Sequence, residues 1–544
     1  MTRIILSSMG VLALAACGAW DNLPHQHDNS WNQALWDADV TATADGVYVR
    51  LPGGEASVSA AEDTGWYEDY YYYADSSRPL GKLVRITDAG QEDKQVQEVN
   101  LGQAGATRIE VAPDNATALV FARQPACDTK DEDIQTMEEC LEEGDSIEWN
   151  SKLHIVRDGA SEASLDLPPH LNAISFDESS QFAVAFMDTS NPVQVDPGSL
   201  ANVSAIQLID LANPETGLTS INVGYGVERV LFTDGGSKAV VLSESKVVVI
   251  GLNGEDGPNV QVTYHLALDV DDDIRPKDAD LTPDGSTAFL TVEGSGDLYA
   301  LDLEAESINI VDLDASPADM IINDQADRTA LVYASRAQVD LLDHDLMEVE
   351  TIELDEPASD MIEFQTSGHA LLYNSLSSSY KDVYKVDLTT GDIQEWRLKS
   401  APTHLVITED ESLAVVFTNT TSNGNYGVEI LNLTSESGAS TNLESPNKPI
   451  GLALTEQHAL ILLEGVNDLL QVNLANGSTT AIELEDSPLG IGSYGSDKFW
   501  ITHDAALGLV SFLDPSNPDD LVSVAGFAST GLFSQETPLA GQED

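Results

Sequence analysis

Alternating carboxylates are the first feature of this sequence that could do chemistry. Asp269, Asp271 and Asp273, with Asp280 at the twelfth place, follow the ligand spacing of a calcium-binding loop. Ile274 stands where the sharp turn of such a loop needs glycine, and no helical pattern flanks the segment. The sequence therefore predicts either a Ca²⁺ site at these four aspartates or a solvated acidic loop between strands.

A second set of metal-ligand residue types lies near the N-terminus. His25, His27 and Asp28 could hold a transition metal, or they could belong to an unstructured tether. The chain contains no GxSxG elbow, HExxH motif, P-loop or dinucleotide-binding fingerprint. These motifs would have indicated particular enzyme classes, so a catalytic function has no local sequence signature.

Aromatic residues crowd into one short segment. Trp66, Tyr67, Tyr70, Tyr71, Tyr72 and Tyr73 lie within the stretch WYEDYYYYADSS. Tyrosine and tryptophan rings on a loop bind partners at low cost in conformational entropy, which favours a recognition loop. The alternative is a strand whose alternate rings pack into the core.

The N-terminus has the features of an export signal. Arg3 precedes a mostly apolar run of 13 residues, 4–16, which is too short to span a bilayer as a helix. Leu14-Ala15-Ala16-Cys17 follows and resembles the bacterial lipobox, in which the cysteine is lipidated before cleavage. The resemblance implies a signal peptide over 1–17, a tether over 18–39 and a lipid anchor in the cell envelope. Gly18, rather than Asp, after the cysteine favours the outer membrane.

Two further cysteines predict one disulfide. Cys127 and Cys140 are the pair that remains if Cys17 carries lipid. An exported chain meets an oxidising compartment, where such a pair joins. Two free thiols are the alternative, and no nearby ligand set completes a zinc site.

Charge excludes one class of partner. The chain has 92 acidic and 24 basic residues, a formal net charge of −68, spread along its length. Nucleic-acid binding needs clustered Lys and Arg, so no nucleic-acid partner is expected. The hydrophobic fraction of 42% is sufficient for a folded core. The acid is interpreted as a solvating surface or as weak collective binding of divalent cations.

A repeat determines the predicted architecture. Apolar positions, a polar turn and an alanine before an apolar strand recur every 40 to 49 residues from position 239 onward. The alanine positions, with a phenylalanine in the ninth, are Ala118, Ala183, Ala239, Ala288, Ala330, Ala370, Ala414, Ala459 and Phe499. A second set of Asp or Asn residues ends another strand of each unit: Asp88, Asp158, Asp210, Asp302, Asp343, Asp387, Asn432, Asn473 and Asp514.

Each unit is thus predicted to be four short antiparallel strands, the pattern of a β-propeller blade. The fold class is all-β, with about eight to ten units over 40–530 and a C-terminal tail over 531–544. Units in 40–225 carry insertions at 53–80, 122–148 and 188–204, whereas units in 226–530 are regular. A β-sandwich array, a β-helix, or a seven- or eight-bladed ring beside an N-terminal β module are the alternatives.

These repeats resemble the YVTN and WD40-like propeller superfamily. The Gly-His and Trp-Asp marks of true WD40 blades are missing, and VDLTTGDIQEW, ending at Trp396, resembles the docking motif of quinoprotein propellers with its Trp one place late. The resemblance implies a non-catalytic envelope scaffold that binds a protein or glycan. A metal-dependent lactonase-like hydrolase, with ligands from loops of different blades, is the alternative.

Overall fold

The computed structural model of this chain shows a protein built from short strands and turns. It describes residues 39–525 except 44–45, 52–81, 88–94, 103–104, 128–146, 189–202, 245, 255–256, 267–275, 283, 324, 345, 421–422, 436–439, 485, 495–496, 504–508 and 519–520. Strands rich in Val, Ile, Leu and Phe alternate with Asp-, Asn- and Gly-containing turns, the composition that favours hairpins. No helix in the described residues is long and apolar enough to cross a membrane.

The described strands form ten antiparallel sheets of four, taken in chain order as blades 1 to 10. Blades 1 to 5 comprise β1 (Asp39–Thr43), β2 (Gly46–Leu51), β3 (Lys82–Thr87), β4 (Gln95–Val99); β5 (Gly105–Val111), β6 (Thr117–Cys127), β7 (Ile147–Arg157), β8 (Ala160–Leu167); β9 (Ala173–Phe176), β10 (Phe182–Phe186), β11 (Ala205–Asp210), β12 (Leu218–Asn222); β13 (Val227–Phe232), β14 (Lys238–Ser243), β15 (Lys246–Gly251), β16 (Asn259–His265); and β17 (Pro276–Leu281), β18 (Thr287–Val292), β19 (Asp297–Asp302), β20 (Ser307–Asp312).

Blades 6 to 10 follow the same order. They comprise β21 (Asp319–Asn323), β22 (Arg328–Tyr333), β23 (Arg336–Asp343), β24 (Val349–Glu353); β25 (Asp360–Glu363), β26 (His369–Tyr373), β27 (Asp382–Asp387), β28 (Ile393–Arg397); β29 (Pro402–Ile407), β30 (Leu413–Thr420), β31 (Tyr426–Asn432), β32 (Ser440–Ser445); β33 (Pro449–Leu454), β34 (His458–Leu463), β35 (Asp468–Asn473), β36 (Thr479–Glu483); and β37 (Pro488–Tyr494), β38 (Lys498–His503), β39 (Leu509–Leu513), β40 (Val522–Ala525).

The sheets close into a single ring. The first strands of neighbouring blades lie side by side, as in β13 with β17 and β17 with β21, so the first strand of each blade is innermost. β37 also lies beside β1, which joins blade 10 to blade 1. The protein is therefore a ten-bladed β-propeller. The predicted four-stranded blades are confirmed, and the smaller ring with a separate N-terminal module is wrong.

Strand direction defines two faces of the ring. Because all pairings within a blade are antiparallel, the connections from second to third strand lie at the same end as the links between blades. We call this end the link face. The turns joining first to second and third to fourth strands lie at the other end, the hairpin face.

All nine alanine positions, counting Phe499, are core positions. They lie at the start of the second strand and are at most 2% exposed. Eight of them pack toward the preceding blade, as Ala288 does against β15 of blade 4. In blade 6, Ala330 instead packs toward blade 7. Register shows that Thr329, opposite Leu342, occupies the equivalent place, so the predicted blade-6 position is one residue too far along.

At six of the Asp and Asn positions in the described residues, the side chain closes the turn between third and fourth strands: Asp210, Asp302, Asp343, Asp387, Asn432 and Asp514. Asp302 Oδ1 accepts from the backbone N–H groups of Glu304 and Ala305. Asp387 Oδ1 accepts in the same way from two backbone N–H groups in the turn that follows it in blade 7. Side-chain oxygens that bind backbone two or three residues ahead favour such turns. The preceding blade also reaches this turn, since the Tyr264 hydroxyl donates to the Asp302 carbonyl at 2.6 Å.

Candidate functional site

Most of the residues singled out from the sequence lie outside the described residues. These are Cys17, His25, His27, Asp28, the aromatic segment from Trp66 to Tyr73, Cys140, Asp269, Asp271 and Asp273. Cys127 is the last residue of β6. Asp280 lies on β17, where its Oδ1 accepts from the Leu281 N–H at 2.8 Å. The calcium site, the disulfide, the lipid anchor and the recognition loop therefore stay predictions.

The described residues contain no group of three or more His, Cys, Asp or Glu side chains arranged to hold a metal ion. The described part of the chain thus offers one chemically distinctive set of side chains, which lies on the inner strands, and one distinctive set of connections, which leaves the link face.

The long connections all leave the ring at the same structural place. The second and third strands are joined by 30 residues after Leu51 in blade 1, 19 after Cys127 in blade 2 and 18 after Phe186 in blade 3. In blades 4 to 10 the same connection has two to eight residues. The strand ends that bear the three insertions therefore lie on the link face of three consecutive blades.

Chargeable side chains recur at one position of the first strand, close to its link-face end. It is the first-strand residue that pairs with the third residue after the alanine position. In blade 5 the alanine position is Ala288, and Asp278 pairs with Thr291. We call the set the inner tier: Arg108, Arg229, Asp278, Asp319, Asp360 and His404, in blades 2, 4, 5, 6, 7 and 8. Ala173, Gly451 and Gly490 occupy the position in blades 3, 9 and 10.

A backbone irregularity positions several of these side chains. The register shifts by one residue just before Arg108, Arg229, Asp278 and His404. An extra residue in one strand of an antiparallel pair re-aims the next side chain. Pro276, which cannot donate to a ladder, begins β17 next to such a shift. The residues just before the tier positions therefore help to set the direction in which the tier side chains point.

The inner tier joins neighbouring blades. Arg229 Nη1 of blade 4 donates to Asp278 Oδ1 of blade 5 at 2.7 Å. Asp319 of blade 6 accepts from the Met361 N–H of blade 7 at 2.7 Å, and the Arg108 guanidinium of blade 2 donates to the Asn172 carbonyl at the start of blade 3. Because these partners lie on the next inner strand, the tier fixes blades to one another near the central channel.

Burial changes the proton affinity of the acidic members. Burial raises the pKa of Asp278 to about 7, although the Arg229 charge lowers it. Burial and the nearby Asp278 carboxylate raise the pKa of Asp319 well above its ordinary value. Two carboxyl groups that hold protons near neutral pH can act as hydrogen-bond donors as well as acceptors. Raised carboxyl pKa values occur both at catalytic sites and in structural networks.

His404 completes the tier as a neutral side chain. Burial lowers the pKa of its imidazole to about 4, and the ring lies 6.2 Å from the Phe417 ring of the same blade. Imidazole in this form can accept or donate but carries no charge. In ring order the tier thus consists of two arginines, three aspartates and one uncharged histidine.

The segment that resembles a quinoprotein docking motif is a hairpin within blade 7. Asp387 closes the turn, and Gly391 adopts a positive φ of 78° there. Trp396, on β28, is 2% exposed and packs with Leu405 and Val416 of blade 8. Its indole thus contributes to the contact between blades 7 and 8.

Comparison with known proteins identifies no family for this chain. No protein-family model and no curated protein matches this chain. Among solved structures, Kuenenia stuttgartiensis hydrazine synthase is 12% identical with a TM-score of 0.33, covering 54% of this chain and 94% of that one. The dihydro-heme d1 dehydrogenase NirN, in complex with DHE, is 13% identical with a TM-score of 0.41, covering 69% of this chain and 74% of that one.

The inner tier was not predicted from the sequence. Asp278, Asp319 and Asp360 stand 41 residues apart, and each occupies the same place relative to its repeat. Aligning the repeats on their first strands would have revealed this acidic series. Aligning the repeats on the alanine positions does not reveal this acidic series, because the alanine of blade 6 lies one residue further along than the others.

Proposed function

We propose that this chain is a cell-envelope lipoprotein whose propeller is a non-catalytic scaffold for binding a protein or glycan partner. The observation that carries the proposal is the common origin of the three long connections. All three join second to third strands, and they do so in blades 1, 2 and 3. Loops displayed on a rigid framework are the usual place for recognition.

The framework supports this function. Seven consecutive blades keep short second-to-third connections. Side chains of the inner tier fix blade 4 to blade 5 through a part-buried hydrogen bond and blade 6 to blade 7 through a buried one. A framework that moves little on binding lowers the entropic cost of recognition. The segment with Trp66 and Tyr70 belongs to the longest of the three connections, which makes it the first candidate for partner contact.

Replacing Tyr70, Tyr71, Tyr72 and Tyr73 with Ser is expected to weaken partner capture at least tenfold while leaving the thermal midpoint almost unchanged. The reason is that tyrosine rings supply much of the contact energy in binding loops. Binding of the purified protein to solubilised envelope proteins and glycans, followed by quantitative cross-linking, measures the effect. Tyr380→Ser, in the short connection of blade 7, is the control.

Two outcomes would contradict this proposal. If the quadruple variant unfolds, the rings belong to the core and the segment is no recognition loop. If the purified protein hydrolyses lactones and a chelator stops the reaction, the chain is a metal-dependent enzyme of the lactonase-like kind.

Cys17→Ala is expected to release the protein from the membrane fraction or to leave it unprocessed. The expectation follows from the lipobox resemblance of residues 14–17, since several acyl chains together anchor a protein stably. Fractionation of cells expressing either form, with mass spectrometry of the N-terminal peptide, measures it. Tight membrane association of the Cys17→Ala protein would refute the lipid anchor.

A further inference from the structure

One link between blades carries an exposed aromatic residue. Tyr225 lies in the link 223–226, which joins β12 of blade 3 to β13 of blade 4, and it is 50% exposed. Of the nine sequence segments that link consecutive blades, only this one contains a Phe, Tyr or Trp residue. Connecting two blades therefore does not require an aromatic residue. The link lies on the link face, where the three long connections begin and end.

Two glycines set the shape of this link. Gly224 and Gly226 have φ angles of 103° and 67°, which residues with a Cβ rarely adopt. A Cβ at Gly224 would lie 2.4 Å from Lys246 Cε, and a Cβ at Gly226 would lie 2.5 Å from Glu244 Cγ. Side chains of blade 4 thus pack against the backbone on both sides of Tyr225. The link is held in one conformation, with its tyrosine between two residues that have no side chain.

Both ends of the long connection of blade 3 lie against this link. At the start of the connection, Asp188 pairs in parallel with Val227, the first residue of β13. At its end, the Ser204 carbonyl accepts from the first two backbone N–H groups of the link, at 2.8 and 3.0 Å. Tyr225 lies in the link between these two contacts. The exposed ring is therefore continuous with the surface that the proposed function uses for recognition.

A side-chain amide fixes the start of that connection. Asn172 Oδ1 accepts from the Asp188 N–H at 2.7 Å, and Asn172 Nδ2 donates to the Asp188 carbonyl at 3.2 Å. The Asn172 carbonyl accepts from the Arg108 guanidinium of the inner tier. Contacts from blades 2, 3 and 4 thus meet beside the link, which makes the position of Tyr225 well determined.

A protein partner suits this site better than a glycan. Sugars carry a hydroxyl group on most of their carbon atoms, so a glycan site needs hydrogen-bonding side chains beside its aromatic ring. The polar groups that hold this part of the chain are already engaged: the Asn172 amide binds Asp188, and the Arg108 guanidinium donates to Glu110. The ring therefore offers mainly apolar contact. Tyrosine residues of this kind supply much of the binding energy of protein interfaces.

We propose that Tyr225 contacts the partner directly, with its ring in an apolar pocket of a folded protein that binds the link face. The inference rests on the proposed function, because the partner is the one recognised by the long connections. It adds a contact residue from the framework itself and names a protein as the partner class. A ring held in place before binding loses little conformational freedom when the complex forms.

Photocrosslinking from position 225 tests the contact in intact cells. The photoreactive residue p-benzoylphenylalanine replaces Tyr225 in the full-length protein, and irradiation is expected to give an adduct with one envelope protein, identified by mass spectrometry. The same residue in place of Leu346 is the control, because Leu346 is 66% exposed in a turn of the hairpin face. This control should not give the adduct.

Titration of the purified crosslinked protein against variants of this chain measures the energy of the contact. Tyr225→Ser is expected to bind about tenfold more weakly than the wild type, the effect of losing a central tyrosine. Tyr225→Phe keeps the ring and should bind within about twofold of the wild type, and Leu346→Ser should bind like the wild type. The thermal midpoints of all three variants should match, because both side chains are exposed.

Several results would overturn the inference. Equal affinity of the wild type and Tyr225→Ser would show that the ring makes no contact. An adduct with a glycan, or with a second copy of this chain, would assign the site to a different occupant. An adduct from Tyr71 without one from Tyr225 would overturn this inference and leave the proposed function standing, whereas no adduct from either position would count against both.

Discussion

Trp500→Ala is expected to lower the free energy of unfolding by about 3–5 kcal/mol, the usual cost of truncating a buried aromatic side chain. Trp500 lies on β38 of blade 10 and is 1% exposed. Its neighbours Phe499 and Ile501 pack against blade 9, so strand alternation directs Trp500 to the other side, where β1 adjoins β37. The side chain therefore fills the contact that closes the ring.

The two chain ends do not share a blade. Blade 1 is built from residues 39–99 and blade 10 from 488–525, so no strand is exchanged between the chain ends. On the blade-1 side, Val47 and Ile86 pair opposite each other on the face away from Tyr48, and both are at most 1% exposed. Loss of Trp500 is expected to loosen both terminal blades together.

Trp396→Ala is the matched control, because Trp396 fills the contact between two blades that follow each other in sequence. Urea unfolding gives the free energies, and hydrogen exchange shows where protection is lost. Trp500→Ala should raise exchange in blades 1 and 10, whereas Trp396→Ala should raise it in blades 7 and 8. Unchanged exchange in blade 1 of the Trp500→Ala protein would show that this side chain does not close the ring.

The lack of a side chain at Gly492 makes room for the Trp500 indole. Gly492 pairs with Trp500 across the ladder, and a Cβ at this glycine would lie 2.3 Å from Trp500 Cζ2. The Trp500 indole thus occupies the volume that a side chain at position 492 would need. A repeat alignment gives a glycine and a tryptophan here but cannot give their contact, because it depends on register across β37 and β38.

The sequence predicted what repeats and missed what depends on pairing. Ala239 and Asp302 are recognisable because a tight core position and a side-chain-closed turn each favour the same residue type in most blades. The inner tier needs no fixed type: Gly451 is equivalent to Asp278. Only the strand register brings such unlike residues to one place.

The sequence also left the number of blades open. Insertions of 18 to 30 residues separate the second and third strands of blades 1 to 3, which obscures the period there. Strand pairing across those insertions, such as Leu51 with Lys82, restores the blade. Long connections at a constant structural place do not alter the sheet, because a longer loop adds only slowly to the entropy of closure.

Asp278→Asn is expected to change how stability depends on pH. Burial raises the pKa of Asp278 to about 7 in the folded protein, against an ordinary value near 3.8 when unfolded. The folded state therefore holds a proton that the unfolded state releases. The stability from this proton is complete below about pH 4 and is lost as the pH rises to about 7, at up to about 1.4 kcal/mol per pH unit.

Other groups act in the opposite direction. Burial lowers the pKa of His154 and of His404 to about 4, so the folded protein loses stability as the pH falls from about 6.5 toward 4. The pH profile of the wild type alone therefore combines both effects. The difference between wild type and Asp278→Asn cancels the histidine contribution and leaves that of the Asp278 carboxyl together with its effect on Asp319.

The free energy of unfolding of the wild type, minus that of Asp278→Asn, should fall steadily between pH 4 and 7. The amide keeps an oxygen that can accept from Arg229, which limits loss of the link between blades 4 and 5. Urea unfolding at four pH values measures the difference, and Asp312→Asn, which removes one carboxyl group from an exposed outer strand, is the control. Removing Asp278 also lowers the pKa of the neighbouring Asp319, which increases the slope. Parallel pH profiles for the wild type and Asp278→Asn would show that Asp278 is ionised throughout this range, held by Arg229 rather than by a proton.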